Sequence, residues 1–303
     1  MTIVANILAL LVMPFVIVGT INRVKARWAG RRGPPIFQLA FDLLRLVRKV
    51  PVYSTVTTPV FRIGPLVVAG TAVLSAAIVP LAGGASIVSF PFDFVWFAYV
   101  WGLGRVALVL GALDTGSAFE GMGASREVTF ATLLEPVLFL VAGALCLHAG
   151  VRSLSAALVP QLDGPSAIVM WVAAIAAILI VVQVEAARMP IDDPTTHLEL
   201  TMVHEVMILD HSGPELAFLQ LGSAVKLYVG ISLAALLMNP LAGDGAMAAL
   251  VHVGLCIAIA IAIGLSESLV ARLKLRVVPQ YIVVALVAGG IALLSMLGRG
   301  GPG

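Results

Sequence analysis

Carboxylates and histidines crowd into residues 185–215, which read E-A-A-R-M-P-I-D-D-P-T-T-H-L-E-L-T-M-V-H-E-V-M-I-L-D-H-S-G-P-E. Glu185, Arg188, Asp192, Asp193, Glu199 and Glu205 stand here beside His197, His204 and His211, where two long apolar runs give way to polar chain. An ionisable group costs roughly 2.5–3.5 kcal/mol at the centre of a membrane helix, so such a concentration against a bilayer points to function. Pro190, Pro194 and Pro214 break any single helix through the segment. The histidines recur every seven residues. On an uninterrupted helix they would share a face about 10 Å apart, too far for a common metal ion. Hydrogen bonding or titration is therefore their expected role. Glu199 falls on the side of Met202, Val203 and Val206, an apolar setting that disfavours ionisation and suits a proton carrier.

Further ionisable groups lie inside or at the edges of apolar runs. Arg105 and Lys226 are the cations; Glu127, Glu135, Glu185, Glu199, Glu205 and Glu267 are the acids that could pair with them. Two readings stand side by side: ion pairs that lock helices together, or a chain of carboxylates and lysine that relays protons. Residues 114–127, D-T-G-S-A-F-E-G-M-G-A-S-R-E, are glycine-rich and charged. No strand precedes them and no phosphate-loop spacing is present, so the expectation is a tight loop packed against residues 185–215.

These groups need an apolar frame to hold them. Sixty per cent of the chain is hydrophobic and 11% charged, with mean hydropathy +1.08. Soluble domains carry about 25% charged residues, so this is an integral membrane protein, all-α, without the basic surface of a nucleic-acid binder. Runs long enough for about 30 Å of hydrocarbon lie near 3–21, 63–82, 93–113, 129–149, 167–184, 217–238, 246–266 and 280–297. Residues 1–303 thus read as one polytopic membrane domain of eight spans. The first span lacks a charged leader and a small-residue cleavage site, and reads as a retained helix. Lys and Arg gather in alternate loops: Arg23, Lys25, Arg27, Arg31, Arg32, Arg45, Arg48, Lys49 and Arg62, then Arg126, Arg188, Arg272, Lys274 and Arg276. The positive-inside rule puts these loops in the cytoplasm and both termini outside. Cys146 and Cys256 sit alone in apolar runs and indicate neither a disulfide nor a metal site.

Residues 36–50 form an amphipathic surface helix. Gln38, Asp42, Arg45, Arg48 and Lys49 take one face, and Ile36, Leu39, Ala40, Leu43, Leu44, Leu46, Val47 and Val50 take the other. It anchors the chain to the bilayer surface or serves as a platform for a soluble partner.

Three motifs carry a family resemblance. Arg32-Gly33-Pro34, then Gln38 and Asp42-Leu43-Leu44-Arg45-Leu46, matches a GP–Q–D-A/L-L-K-L surface helix. Glu185-x-x-Arg188-x-Pro190-x-Asp192-x-Pro194 matches an E-x-x-R-x-P-F-D-L-P loop, and Gly123-Ala124-Ser125-Arg126 with Glu135 beyond it matches G-A-x-R and its following glutamate. The chain resembles complex I subunit 1, the membrane subunit that seats the soluble arm of that complex. Quinone-reducing members continue with E-x-E-x-E, where this chain has Thr195, His197 and Glu199. This departure, and residues 267–280 (E-S-L-V-A-R-L-K-L-R-V-V-P-Q), resemble instead the branch in membrane-bound nickel–iron hydrogenases, including formate hydrogenlyase subunit 4 and hydrogenase-4 component C.

The resemblance implies a subunit that anchors an electron-transfer arm and couples it to proton or sodium movement. Its partners would be hydrogenase-like large and small subunits, a ferredoxin-like iron–sulfur subunit and antiporter-like membrane subunits, in the inner membrane of a prokaryote. The nickel–iron centre and iron–sulfur clusters would lie on those partners, with no cofactor on this chain. Arg31, Arg32, Gln38, Asp42, Arg45, Arg188 and Asp192 would face the arm. Glu185, Arg188, Asp192, Asp193, Glu199, Glu205, Glu135, Lys226, Glu267, Arg126 and Glu127 would carry coupling. Rival readings are the quinone-binding subunit of a respiratory NADH dehydrogenase and a stand-alone secondary transporter; the latter usually carries an internal repeat, which this sequence lacks.

Overall fold

A computed structural model describes residues 2–161, 163–192, 202–241 and 245–297. It is helical throughout, with no strand among the described residues, and eight of its helices are long and apolar enough to cross a membrane. Those eight are α1 (Thr2–Trp28), α3 (Pro59–Ile78), α4 (Asp93–Asp114), α5 (Ala118–Ala149), α7 (Pro165–Glu185), α8 (Gly213–Met238), α9 (Ala246–Leu269) and α10 (Val278–Leu297). The surface helix α2 (Gln38–Val47) follows α1, and a single turn, α6 (Leu154–Ala157), precedes α7.

The helix ends follow local chemistry. Pro59, Pro165 and Pro214 occupy first-turn positions, where the missing N–H is not needed. The Asp114 carboxylate accepts from the Thr58 amide at 2.7 Å and the Phe61 amide at 3.3 Å, so the end of α4 caps the start of α3. Asp93, fully buried, accepts from the Leu154 amide at 2.6 Å and the Ser153 hydroxyl at 2.9 Å, tying α4 to α6.

α8 is the axis of the bundle. It packs against α1, α3, α7 and α9, while α4 lies on α3 and α5, and α10 lies on α5 and α7. Close approach is possible because α8 is small at its crossings: a Cβ on Gly222 would stand 3.2 Å from the Ala69 backbone, and one on Gly230 2.8 Å from Val182. Large apolar side chains on α1, α4, α9 and α10 face outward, including Leu11, Tyr99, Leu250 and Leu294. That is how a bundle bathed in lipid differs from one in water.

Two elements differ from expectation. The amphipathic helix is shorter than residues 36–50, and Phe41, Leu44 and Val47 on it stay exposed while Leu43 is buried. The glycine-rich stretch is not a loop beyond Gly116: α5 begins at Ala118, so Gly121 to Glu127 are already helical. Short-range glycine content is overridden there by packing. A Cβ on Gly123 would meet Val206 at 2.4 Å and the Val203 carbonyl at 2.9 Å, so the glycine lets residues 202–208 lie directly on α5.

Candidate functional site

Arg105 is the organising residue. It lies on α4, 5% exposed, and its guanidinium meets three carboxylates from two other helices. Nε stands 3.1 Å from Glu127, Nη1 donates to Glu135 at 2.9 Å, and Nη2 contacts Glu185. Glu127 and Glu135 are two turns apart on α5, and Glu185 is the last residue of α7. Glycine makes the room: a Cβ at Gly102 would stand 3.3 Å from Glu135 Oε1. Among the described residues, the guanidinium is the one cation in ion-pair contact with these three carboxylates.

The three acids differ in exposure. Glu185 is 5% exposed, Glu127 19% and Glu135 51%. Glu135 opens into a lateral groove of about 810 Å³ between α4 and α5, lined by Val106, Val109, Leu110, Val128 and Phe139. On the other side Glu185 shares a small apolar cavity with Lys226, Phe97, Trp101, Ile178 and Val181. Lys226 makes no ion pair among the described residues; its ammonium donates to the Trp101 carbonyl at 3.4 Å and sits 5.3 Å from the Trp101 ring centroid.

Glu267 does not join this centre. Its fully buried carboxylate bridges Lys25 of α1 at 2.8 Å and Arg188 at 3.3 Å. Asp192 beside it pairs with Arg272 at 2.9 Å and accepts from the Val203 and His204 amides at 2.9 and 3.2 Å. The Leu273 amide donates to the Pro190 carbonyl at 2.8 Å. The E-x-x-R-x-P-x-D loop is thus divided, with Glu185 in the Arg105 centre and Arg188 and Asp192 in a brace across α1 and α9.

Arg126 donates to the Met202 carbonyl at 2.7 Å, holding residues 202–208 against α5. Glu205 opens a short 3₁₀ turn, Glu205–Ile208, and makes no ion pair among the described residues. Among the described residues, that turn breaks any continuous helix between His204 and His211. His211 instead stacks on Phe61 with ring centroids 3.9 Å apart and lies 3.5 Å from Glu215. Burial holds its pKa below the ordinary 6.5, partly offset by the Glu215 carboxylate. Gln38 donates to Asp42 at 2.9 Å and Arg45 stands 3.8 Å from it, all on α2. Arg31 and Arg32 are exposed beside them. Asp193, His197 and Glu199 lie outside the described residues. Among those described, no group of three His, Cys, Asp or Glu side chains could hold a metal ion.

Sequence reasoning missed Lys25 and Arg272 as counter-ions, because each meets its acid across a long stretch of chain. It also missed Gly102 and Gly104, whose signal was the W-G-L-G-R run at 101–105.

The fold and these constellations define a multi-pass helical membrane protein with buried ion-pair networks where its spans meet the polar loops. The chain belongs to the NADH dehydrogenase family, whose model matches residues 1–297. It is 31% identical over 239 residues to hydrogenase-4 component C of Escherichia coli, covering 78% of this chain and 74% of that protein. It is 27% identical over 286 residues to formate hydrogenlyase subunit 4 of the same organism, covering 91% and 92%. A subunit of the NADH-quinone oxidoreductase of Methylococcus capsulatus is 25% identical over 189 residues, 59% of each chain. A chain in the structure of the membrane-bound sulfane sulfur reductase, an archaeal respiratory membrane complex, has the same fold, with TM-score 0.77 and 20% identity over 95% of this chain and 98% of that one.

Proposed function

We propose that this chain is the anchoring and coupling subunit of a complex I-like hydrogenase of the formate hydrogenlyase type. Similarity to two hydrogenase-associated membrane subunits supports that assignment over a quinone-reducing one. In this reading the basic loops face the cytoplasm of a prokaryotic cell and receive hydrogenase-like large and small subunits with a ferredoxin-like subunit. Electrons stay on those partners' nickel–iron and iron–sulfur centres. This chain supplies the acids.

The Arg105 centre carries the coupling proposal. It joins a buried carboxylate at the mouth of the 185–215 segment to one exposed on a lateral membrane groove. A redox-linked shift of that segment would change how the guanidinium is shared, and so which carboxylate holds a proton. Glu135 would pass the proton, or the change in field, to an antiporter-like membrane subunit seated in the groove. Lys226, across the cavity from Glu185, would be the inward continuation. Asp192, Arg188 and Glu267 would transmit strain as a brace and carry no protons.

The test is purification of the tagged chain in mild detergent, with partner identification by mass spectrometry and reconstitution for hydrogen evolution and ion uptake. A nickel–iron large subunit, hydrogen evolution and ion uptake abolished by Glu185→Gln are the expected results. Quinone reduction by a flavin-containing assembly, or unchanged ion uptake per electron in the Glu185→Gln complex, would overturn the proposal.

A further inference from the structure

The end of the bundle away from the lysine- and arginine-rich loops holds a second buried polar array, which the coupling reading leaves unused. His252 on α9 and Ser232 on α8 are both 0% exposed. Their Nε2 and Oγ atoms stand 3.1 Å apart, with Cys256 Sγ 3.6 Å from the same nitrogen. Tyr228, one turn before Ser232 on α8, donates to the Leu81 carbonyl at 2.6 Å. His252 Nδ1 is buried without a hydrogen bond of good geometry, although the Leu81 carbonyl lies beside the ring.

A cavity of about 300 Å³ opens at the same end, lined by Pro80, Gly83, Ser155, Leu236, Asn239 and Ala248. Residues four apart on a helix share a face about 6 Å apart along the axis. Ala248 therefore sits one turn outward of His252, Leu236 one turn outward of Ser232, and Pro80 directly precedes Leu81. The cavity floor is a single layer above the histidine. An unsatisfied buried nitrogen costs roughly 1–3 kcal/mol, and a water held between it and the Leu81 carbonyl would remove that cost. Deeper in the bundle, on α3, Ser75 donates to the Thr71 carbonyl at 2.8 Å, and both Thr71 and Lys226 crowd Gly104.

We propose that the cavity is a hydrated vestibule ending on His252, and that His252 exchanges protons between it and the membrane interior. A neutral imidazole accepts a proton on one nitrogen and releases the one on the other, so a proton entering at Nε2 leaves from Nδ1 to vestibule water. The proton-exchange role rests on the coupling reading; the vestibule does not.

The experiment uses the intact complex in membrane vesicles, with Cys146→Ala and Cys256→Ala removing this chain's own thiols and His252→Cys placing a reporter thiol at the end of the vestibule. Silver ion is added from the side opposite the basic loops, and occupancy of the introduced thiol is read by mass spectrometry after denaturation and maleimide labelling. Protection of that thiol from maleimide by silver, lost when Ser155→Trp plugs the mouth, is expected. A thiol that silver reaches only after detergent, or equally in the plugged complex, would overturn the vestibule. In the same vesicles His252→Gln keeps a hydrogen-bonding side chain but cannot relay, and the ratio of protons moved per electron falls about tenfold or more. An unchanged ratio, with the thiol introduced at position 252 open to silver in the companion variant, would remove His252 from the path. A parent complex that moves no protons would remove both the coupling reading and the exchange role, while the silver result would still decide the vestibule.

Discussion

The Arg105 centre and the Arg188–Glu267–Asp192 brace draw on the same sequence motif and differ in the balance of acids and cations among the described residues. The centre sets one cation against three acids and ends on a half-exposed carboxylate at a lateral groove. Among the described residues, the brace sets Lys25, Arg188 and Arg272 against two buried acids, and the Val203 and His204 amides donate to Asp192. A surplus of acid that reaches a surface has states to exchange between. A surplus of cation around fully buried acids has one arrangement and holds it. Presence of an acid at a bilayer therefore does not by itself identify a proton carrier.

Arg105→Leu should break the comparison most severely, because it strands three carboxylates around an apolar side chain. The complex should lose ion uptake altogether and be destabilised by about 5 kcal/mol, read as a lowered Tm in detergent. Glu267→Gln should cost about 3 kcal/mol of stability by leaving Lys25 and Arg188 underpaired, yet keep ion uptake per electron in the surviving complex. Glu135→Gln should do the reverse, with Tm unchanged and uptake per electron lost. If Glu267→Gln uncouples and Glu135→Gln does not, the two regions have been assigned the wrong way round.

Gly123→Val would sharpen the link between the 202–208 segment and the centre. The added side chain must displace Val206 and the Val203 carbonyl. A cost of about 2 kcal/mol should follow, with partial loss of uptake as the segment lifts from α5. The smallest effect should come from His211. Burial lowers its folded pKa below the unfolded 6.5, so the neutral ring contributes stability above that value. Stability should fall as pH drops from 6.5 through the folded pKa, and melting curves of His211→Gln should lack that slope.

Hydropathy alone located all eight spans, because an apolar run of membrane length has no other stable use. Where span ends differed, the cause was packing. Residues 118–128 are too polar to count as membrane by composition, yet Gly123 and Ala124 lie flush against Val206 and Met207, and the helix extends to meet them. The amphipathic period of α2 was legible from residues 38–47, where one face must leave water. At the site, the motif announced Glu185, Arg188 and Asp192, and Glu135 stood out as an acid in an apolar run. Their partners did not. Glu267 was grouped with Arg105 and Lys226 by hydropathy but belongs to the brace, since α9 packs on α1 and brings it to Lys25.

What this sequence determined by itself is the environment: how many helices cross the bilayer, where polar groups interrupt them, and which family the interruptions resemble. Those properties are sums over local composition, and a chain in lipid has few ways to satisfy them. The tertiary structure decided which acids share a cation, which one reaches a groove, and that His252 lies beneath a cavity. Each depends on side chains far apart in the chain meeting within about 3 Å, a distance set by helix rotation and crossing. The divided E-x-x-R-x-P-x-D motif is the plainest case: within a few residues of one another, its acids and its arginine serve two separate networks, because the end of α7 faces α4 while the loop after it faces α9.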